Sequence, residues 1–335
     1  MEENSELLTP RNQYFDFLRG IAIIMVVGIH TSADHLGFDS WITQANTVLR
    51  QILNVAVPLF FAISGYFLAK KELTEKESIY KFWRHQIPKV YCPALIWGLP
   101  WLVLAIHKDE NIYLQFFLWL CCGLSVLYFV AVIIQMYLLL PVIKRISSHL
   151  IVTYALILSF VSVVFITWVR SFKGVDLPLI VYAGAFPLWI MFFVIGGALS
   201  RHKRTYNIIV LACFSVMALF LQFWESVYLG DIGGACYGIK ISSFIFSIII
   251  ILLLLSRKVE DVYNNQSCYL KSITWLGRNS FGIYLTHCLV IFMLSRILKT
   301  NFWVIDWVLV ICMDAILIIL LKRIIPTKYQ FILGL

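Results

Sequence analysis

Charged residues are scarce in this chain: only 13% of its 335 positions are Asp, Glu, Lys or Arg, against about a quarter in soluble domains. That deficit excludes an ordinary water-soluble domain. No connection between apolar runs is long enough to hold a separate soluble domain, and neither a fixed-period repeat nor a low-complexity tract occurs. The eight cysteines include no CxxC pair, so metal or redox cysteine motifs are missing and no metal is expected. Cys92, Cys213, Cys288 and Cys312 lie in apolar stretches beside an adjacent pair, Cys121 and Cys122, and read as small core residues. The amino terminus lacks the basic start of a signal peptide. It carries Glu2, Glu3 and Glu6, with no small-x-small cleavage site after Ile29, so the first apolar run is expected to be retained as a helix.

What fills the sequence is hydrophobic residue, at 61% with a mean hydropathy of +0.86. Apolar runs of about 17 to 25 residues recur, each able to cross a hydrocarbon core of about 30 Å as a helix. About ten are readable, centred near Ala22, Ala56, Leu95, Ile134, Ser159, Trp189, Phe214, Ser247, Cys288 and Ile311. The expected fold is an all-α membrane protein, a single bundle of about ten transmembrane helices over residues 1–335, with both termini cytoplasmic.

The net charge of +9 would suggest nucleic acid in a soluble protein; here its distribution gives another reason. With the amino terminus inside, roughly nineteen Lys and Arg fall in inside segments and about five in outside ones. The basicity is topological, and the expected large partner is the bilayer rather than a nucleic acid. Lys70, Lys71, Lys76, Lys81, Arg84 and Lys89 crowd the first inside loop, whereas residues 31–47 hold Asp34 and Asp39 with no Lys or Arg.

Ionisable side chains inside apolar spans are costly and usually face a bundle interior or a wet cavity. Arg50 and Lys240 lie near span ends, where they are expected to snorkel to the interface. Asp314 lies deeper and suits either an interhelical hydrogen bond or a functional role. The first run, RGIAIIMVVGIH, has Arg19 at one end and His30 at the other. Eleven residues place them about 20° apart around the helix and about 16.5 Å apart along it, on one face. Asp16, three residues before Arg19, is positioned to pair with it. The same placement also suits an arginine marking one boundary and a histidine capping the other. Near the carboxyl end, Ser280, Tyr284 and His287 share a face of a span running from about Trp275, which puts His287 at a depth similar to that of His30.

Four stretches then occur in order: YFDFLRGIAIIMVVGIH (Tyr14–His30), VPLFFAISGYFLAKKE (Val57–Glu72), FFVIGGALSR (Phe192–Arg201) and WLGRNSFGIYLTH (Trp275–His287). Together they resemble the successive signatures of the membrane-bound acyltransferase-3 family over nearly the whole chain. The arginine, ten residues, then histidine is the most specific element. Chain size and IHTS (Ile29–Ser32) resemble the bacterial surface-polysaccharide O-acetyltransferases, including those acting on enterobacterial common antigen. The resemblance implies residence in the bacterial cytoplasmic (inner) membrane and acetyl-CoA as acyl donor. It also implies transfer to a hydroxyl of a polysaccharide or its lipid-linked precursor, and Arg19 with His30 as the essential pair. Two stretches depart from the pattern. KFWRHQIP (Lys81–Pro88) has fewer arginines than many relatives, and LYFVAVIIQMYLLLP has Tyr128, Phe129 and Gln135 where many carry Trp-Phe and a glutamate.

On that reading His30 is expected to act as general base on the acceptor hydroxyl, or alternatively as a nucleophile carrying the acetyl group. Asp16, Tyr284 and His287 are the supporting residues. Lys81 and Arg84, one helical turn apart, are the candidates for the CoA phosphates, with Ser64 and Tyr66 near the same mouth. The competing class is a transporter or flippase of lipid-linked glycans, in which Arg19, His30, His287 and Asp314 would line a path. The oligomeric state is not readable.

Overall fold

The computed structural model describes residues 12–108, 111–201, 205–263, 268–298 and 302–335, which are helices and their connections; Glu2, Glu3 and Glu6 lie outside the described residues. In chain order the helices are α1 (Gln13–Thr31), α2 (Trp41–Leu53), α3 (Ala56–Leu68), α4 (Lys76–His107), α5 (Ile112–Leu120) and α6 (Tyr128–Arg145). They continue as α7 (Ser148–Thr167), α8 (Leu179–Ala183), α9 (Phe186–Arg201), α10 (Ile208–Asp231) and α11 (Ile241–Leu254). The last are α12 (Arg257–Val262), α13 (Cys268–Arg278), α14 (Ser280–Ile297), α15 (Trp303–Ile324) and α16 (Thr327–Gln330).

Among the described residues 9 helical segments are long and apolar enough to cross a membrane, and α11 is a shorter apolar helix. All of the apolar runs expected from the sequence are helical. The run around Ser247 spans only 14 residues, because its start is held at Lys240 by the polar contacts described below.

α1 is central. It buries residues all around its circumference, from Phe15 and Leu18 to Ala22, Val26 and Val27, as a helix enclosed by others does. Asn12 caps it, its side-chain oxygen accepting from the Tyr14 N–H. By contrast α10 exposes Phe214, Met217, Phe220 and Trp224, the surface a hydrocarbon solvent covers.

Glycines set two helix contacts. A Cβ on Gly65 of α3 would lie 1.8 Å from the Phe193 carbonyl oxygen, and one on Gly196 of α9 would lie 1.9 Å from the Ala62 carbonyl oxygen. α1 and α13 meet the same way: a Cβ on Gly20 would lie 2.0 Å from the Ile273 carbonyl oxygen, and one on Gly277 1.7 Å from that of Asp16. Such approach is a main attraction available between helices in lipid, where no hydrophobic drive separates protein from solvent.

Proline breaks the second span. Pro58 has no N–H to offer the Asn54 carbonyl, and its ring crowds that carbonyl. The helix therefore stops at Leu53 and restarts at Ala56, leaving Arg50 and Asn54 beside the break.

Four expectations are corrected. The basic stretch read as an inside loop is helical from Lys76 onward, as the first turns of α4. The ninth span starts at Ser280 rather than near Trp275: Trp275–Arg278 end the amphipathic α13, and Asn279 forms the corner, its side-chain amide donating to the Trp275 carbonyl at 2.8 Å. Most of the described cysteines are not core residues. Cys122 is buried, but Cys92, Cys121, Cys213 and Cys312 are exposed on apolar surfaces, where lipid solvates a thiol as well as protein does. Lys240 does not snorkel, being fully buried.

Candidate active site at the neck of two cavities

The Arg19 end of α1 is an ion cluster. Asp16, wholly buried, accepts from Arg19 at 3.0 Å and from Arg278 of α13 at 3.4 Å. The Gly20/Gly277 approach brings α13 close enough for the second contact. The Arg19 guanidinium also lies 5.1 Å from the Phe67 ring centre, a cation–π contact. Asp16→Asn removes the charge that holds two guanidiniums together. It is expected to cost about 2 kcal/mol of stability, visible as a lowered melting temperature, with Arg19 losing its orientation.

Arg19 and His30 line one cavity of about 160 Å³ together with Ser64, Tyr137, Ser280 and Tyr284. The shared face expected from their spacing is therefore turned inward, onto a common space. A second cavity of about 280 Å³ opens on the other side of His30, lined by Arg50, Asn54, Arg170, Tyr182, Tyr237 and Ser243 among others. Val26, His30, Val57 and Tyr128 belong to both linings. His30 thus stands at the neck between them, and among the described residues no hydrogen bond to protein occupies its ring nitrogens.

His287 lies behind that neck. It is fully buried and lines neither cavity, whereas Ser280 and Tyr284, read on the same face of its helix, line the first. Its ring centre is 5.2 Å from that of His30. Nδ1 is 2.7 Å from the Tyr284 carbonyl and 3.2 Å from that of Ile283. A carbonyl only accepts, so Nδ1 carries the hydrogen and Nε2 is left as the acceptor. Nε2 is 3.3 Å from Cys288 Sγ. One atom each from His30, His287 and Cys288 lies within 4.8 Å of the others, which makes these the described residues that could hold a soft metal ion.

Tyr284 donates its hydroxyl to the Val126 carbonyl. The turn carrying Val126 contains two left-handed non-glycine residues, Cys122 at φ 54° and Ser125 at φ 51°, and it delivers Tyr128 to the neck. Backbone held in so unfavourable a region persists where surrounding contacts fix it.

The remaining expected residues divide. Ser64 lines the Arg19-side cavity. Tyr66 does not: it is buried against Phe15, with ring centres 4.5 Å apart, and its ring also carries the Lys70 ammonium at 4.8 Å. Lys81 and Arg84 are exposed on α4 and line neither cavity. Asp314 takes the interhelical role, accepting from Thr286 at 2.6 Å. Gln135 uses both ends of its amide: it donates to the Gly184 carbonyl at 2.8 Å and accepts from the Phe186 N–H at 2.9 Å. It thereby satisfies an orphan donor at the start of α9, a task that needs a donor and an acceptor together.

Arg50, expected to snorkel, instead faces the second cavity, because the break before α3 turns it inward; it donates to the Asn54 side chain. Its neighbour Gln51 anchors α2, accepting from Lys240 at 2.5 Å and from Gln222 at 2.8 Å. Lys240 is buried for this reason. Arg170, Tyr182 and Tyr237 carry no signal in the sequence that separates them from other boundary residues. Tyr237 sits in the connection before α11, where burial, with Cys236 beside it, pushes its phenol up to about 12, so it is a donor at neutral pH.

A family model of the acyltransferase-3 type, described as an acyltransferase domain, matches residues 12–323. Comparisons with curated proteins and with solved structures gave no significant match.

Proposed function

The chain belongs to the acyltransferase-3 family, and from that premise we propose that it is an O-acetyltransferase of the bacterial inner membrane. It takes acetyl from acetyl-CoA and passes it to a hydroxyl of a surface polysaccharide or its lipid-linked precursor, in the manner of the enzymes that modify enterobacterial common antigen. The observation that carries this reading is the position of His30, in the linings of both cavities with Arg19 at the far end of one of them.

The positive-inside bias puts the Arg19 end in the cytoplasm, where CoA is made. The exposed Lys81 and Arg84 offer the CoA phosphates a point charge and a bidentate fork. The pantetheine arm then runs past Arg19 and Ser64 toward the neck, and the acceptor occupies the other cavity. His30 takes the proton of the acceptor hydroxyl as its oxygen attacks the thioester carbonyl. When the tetrahedral intermediate collapses, the carbon–sulfur bond breaks and the imidazolium returns the proton to the CoA thiolate. His287, its Nδ1–H fixed by backbone, holds its ring centre 5.2 Å from that of His30 and so orients the base by packing. Two substrates meeting from opposite sides of one imidazole favour direct transfer over an acetyl-histidine intermediate.

CoA at millimolar concentration should raise the melting temperature of the purified protein, the equivalent of about 2.7 kcal/mol at a hundredfold excess over the dissociation constant. Arg84→Ala should reduce that shift. If CoA gives no stabilisation, the two cavities are better read as the path of a glycan transporter.

A further inference from the structure

Resting on the acetyltransferase reading, we infer that the acceptor carries an anionic group, seated on Arg50 and Arg170 in the cavity beyond His30. Two guanidiniums from separate helical segments line that cavity, and among the described residues no carboxylate lines it. Neither arginine has an ion-pair partner among the described residues. Arg50 Nε is buried with no hydrogen-bond acceptor, while another of its nitrogens is held by Asn54. Leaving guanidinium N–H groups unpaired at membrane depth is costly, and the cost is removed when a ligand supplies the oxygens.

Arg170 is aimed by its backbone. It lies in the π-helical turn Trp168–Phe172 that ends α7, an irregularity that shifts the register of side chains and is common at functional sites. Its guanidinium is stacked on the Tyr182 ring, with Cζ 3.8 Å from the ring centre. Stacking fixes the plane of the fork and leaves its edge free, which suits a planar or tetrahedral set of oxygens bound bidentately. Tyr128 and Tyr182 in the same lining bring phenol hydroxyls, neutral groups of the kind that sugar hydroxyls pair with. Carboxylate and phosphate share this chemistry. An acidic sugar would bring the first, and a glycosyl phosphate joined to a carrier lipid the second.

The test is binding by the full chain in nanodiscs of zwitterionic lipid, with three probes: octyl glucoside, octyl glucuronide and octyl glucosyl phosphate. Wild-type protein should bind at least one charged probe about tenfold or more tighter than the neutral one. Arg50→Gln and Arg170→Gln should each collapse that preference, and Arg50→Lys should keep part of it. Because partitioning into lipid is common to all variants, the comparison between variants isolates the protein site. The tighter of the two charged probes identifies carboxylate or phosphate as the group. Equal binding of charged and neutral probes by wild type would overturn the inference, as would a preference that survives both glutamine variants. Loss of CoA stabilisation in Arg50→Gln, with helix content intact, would assign the arginines to the donor's phosphates and overturn it as well. Failure of the enzyme reading itself shows differently, as a wild-type protein that neither binds CoA nor transfers acetyl.

Discussion

Replacing His30 by alanine should lower acetyl transfer by about 10²- to 10⁴-fold, the range a positioned general base supplies, while CoA still stabilises the protein against heat. The split follows from geometry. The phosphate-binding candidates Lys81 and Arg84 are remote from the neck, and Arg19 remains to line the cavity. Transfer of radiolabelled acetyl from acetyl-CoA, with thermal shift in parallel, measures both halves. Unimpaired transfer by His30→Ala would remove the histidine from the chemistry. His287→Ala should give a smaller loss, in kcat rather than in KM for acetyl-CoA, because it acts through the orientation of His30. Wild-type protein trapped with acetyl-CoA alone should yield no hydroxylamine-sensitive acetyl adduct; finding one that His30→Ala lacks would establish the covalent route instead.

Gly196→Ala should prevent recovery of monodisperse folded protein, while Gly197→Ala should leave it almost untouched. The two glycines are adjacent in FFVIGGALSR, and composition treats them alike. A methyl on Gly196 would sit 1.9 Å from the Ala62 carbonyl oxygen, whereas on Gly197 its nearest neighbour is the Ala69 Cβ at 3.4 Å, an ordinary contact. In the first case the obstacle is backbone, which cannot rotate aside, so α3 and α9 must separate. Overpacking costs typically about 1–3 kcal/mol where side chains can adjust, and more is expected where they cannot. Gel filtration after extraction, with melting curves for whatever survives, distinguishes the pair. Equal tolerance would mean that α3 and α9 do not touch as described.

Much of the site was readable because its first element is local. Asp16, Arg19 and His30 lie on one helix, so helical geometry alone put Arg19 and His30 on a common face, which the structure turns onto one cavity, and put Asp16 within reach of Arg19. Arg50 and Lys240 were misread for the complementary reason. Proximity to a span end makes snorkelling the default, but Pro58 breaks the helix next to Arg50, and Gln51 supplies Lys240 with an acceptor that is distant in sequence. Tyr66 parts from Ser64 for a local reason: it lies two residues on, which at 100° per residue turns it away from the cavity Ser64 lines.

The sequence by itself determined a helical membrane bundle, where nearly all its spans lie, and the face shared by Arg19 and His30. These follow from desolvation and helix period, which act residue by residue. Tertiary structure alone decided that Arg50 and Arg170 face one cavity, that His287 stands behind His30, and that both cavities meet there. Each of these depends on which helix becomes a neighbour, and in lipid that choice rests on close backbone packing and buried hydrogen bonds rather than on hydrophobicity.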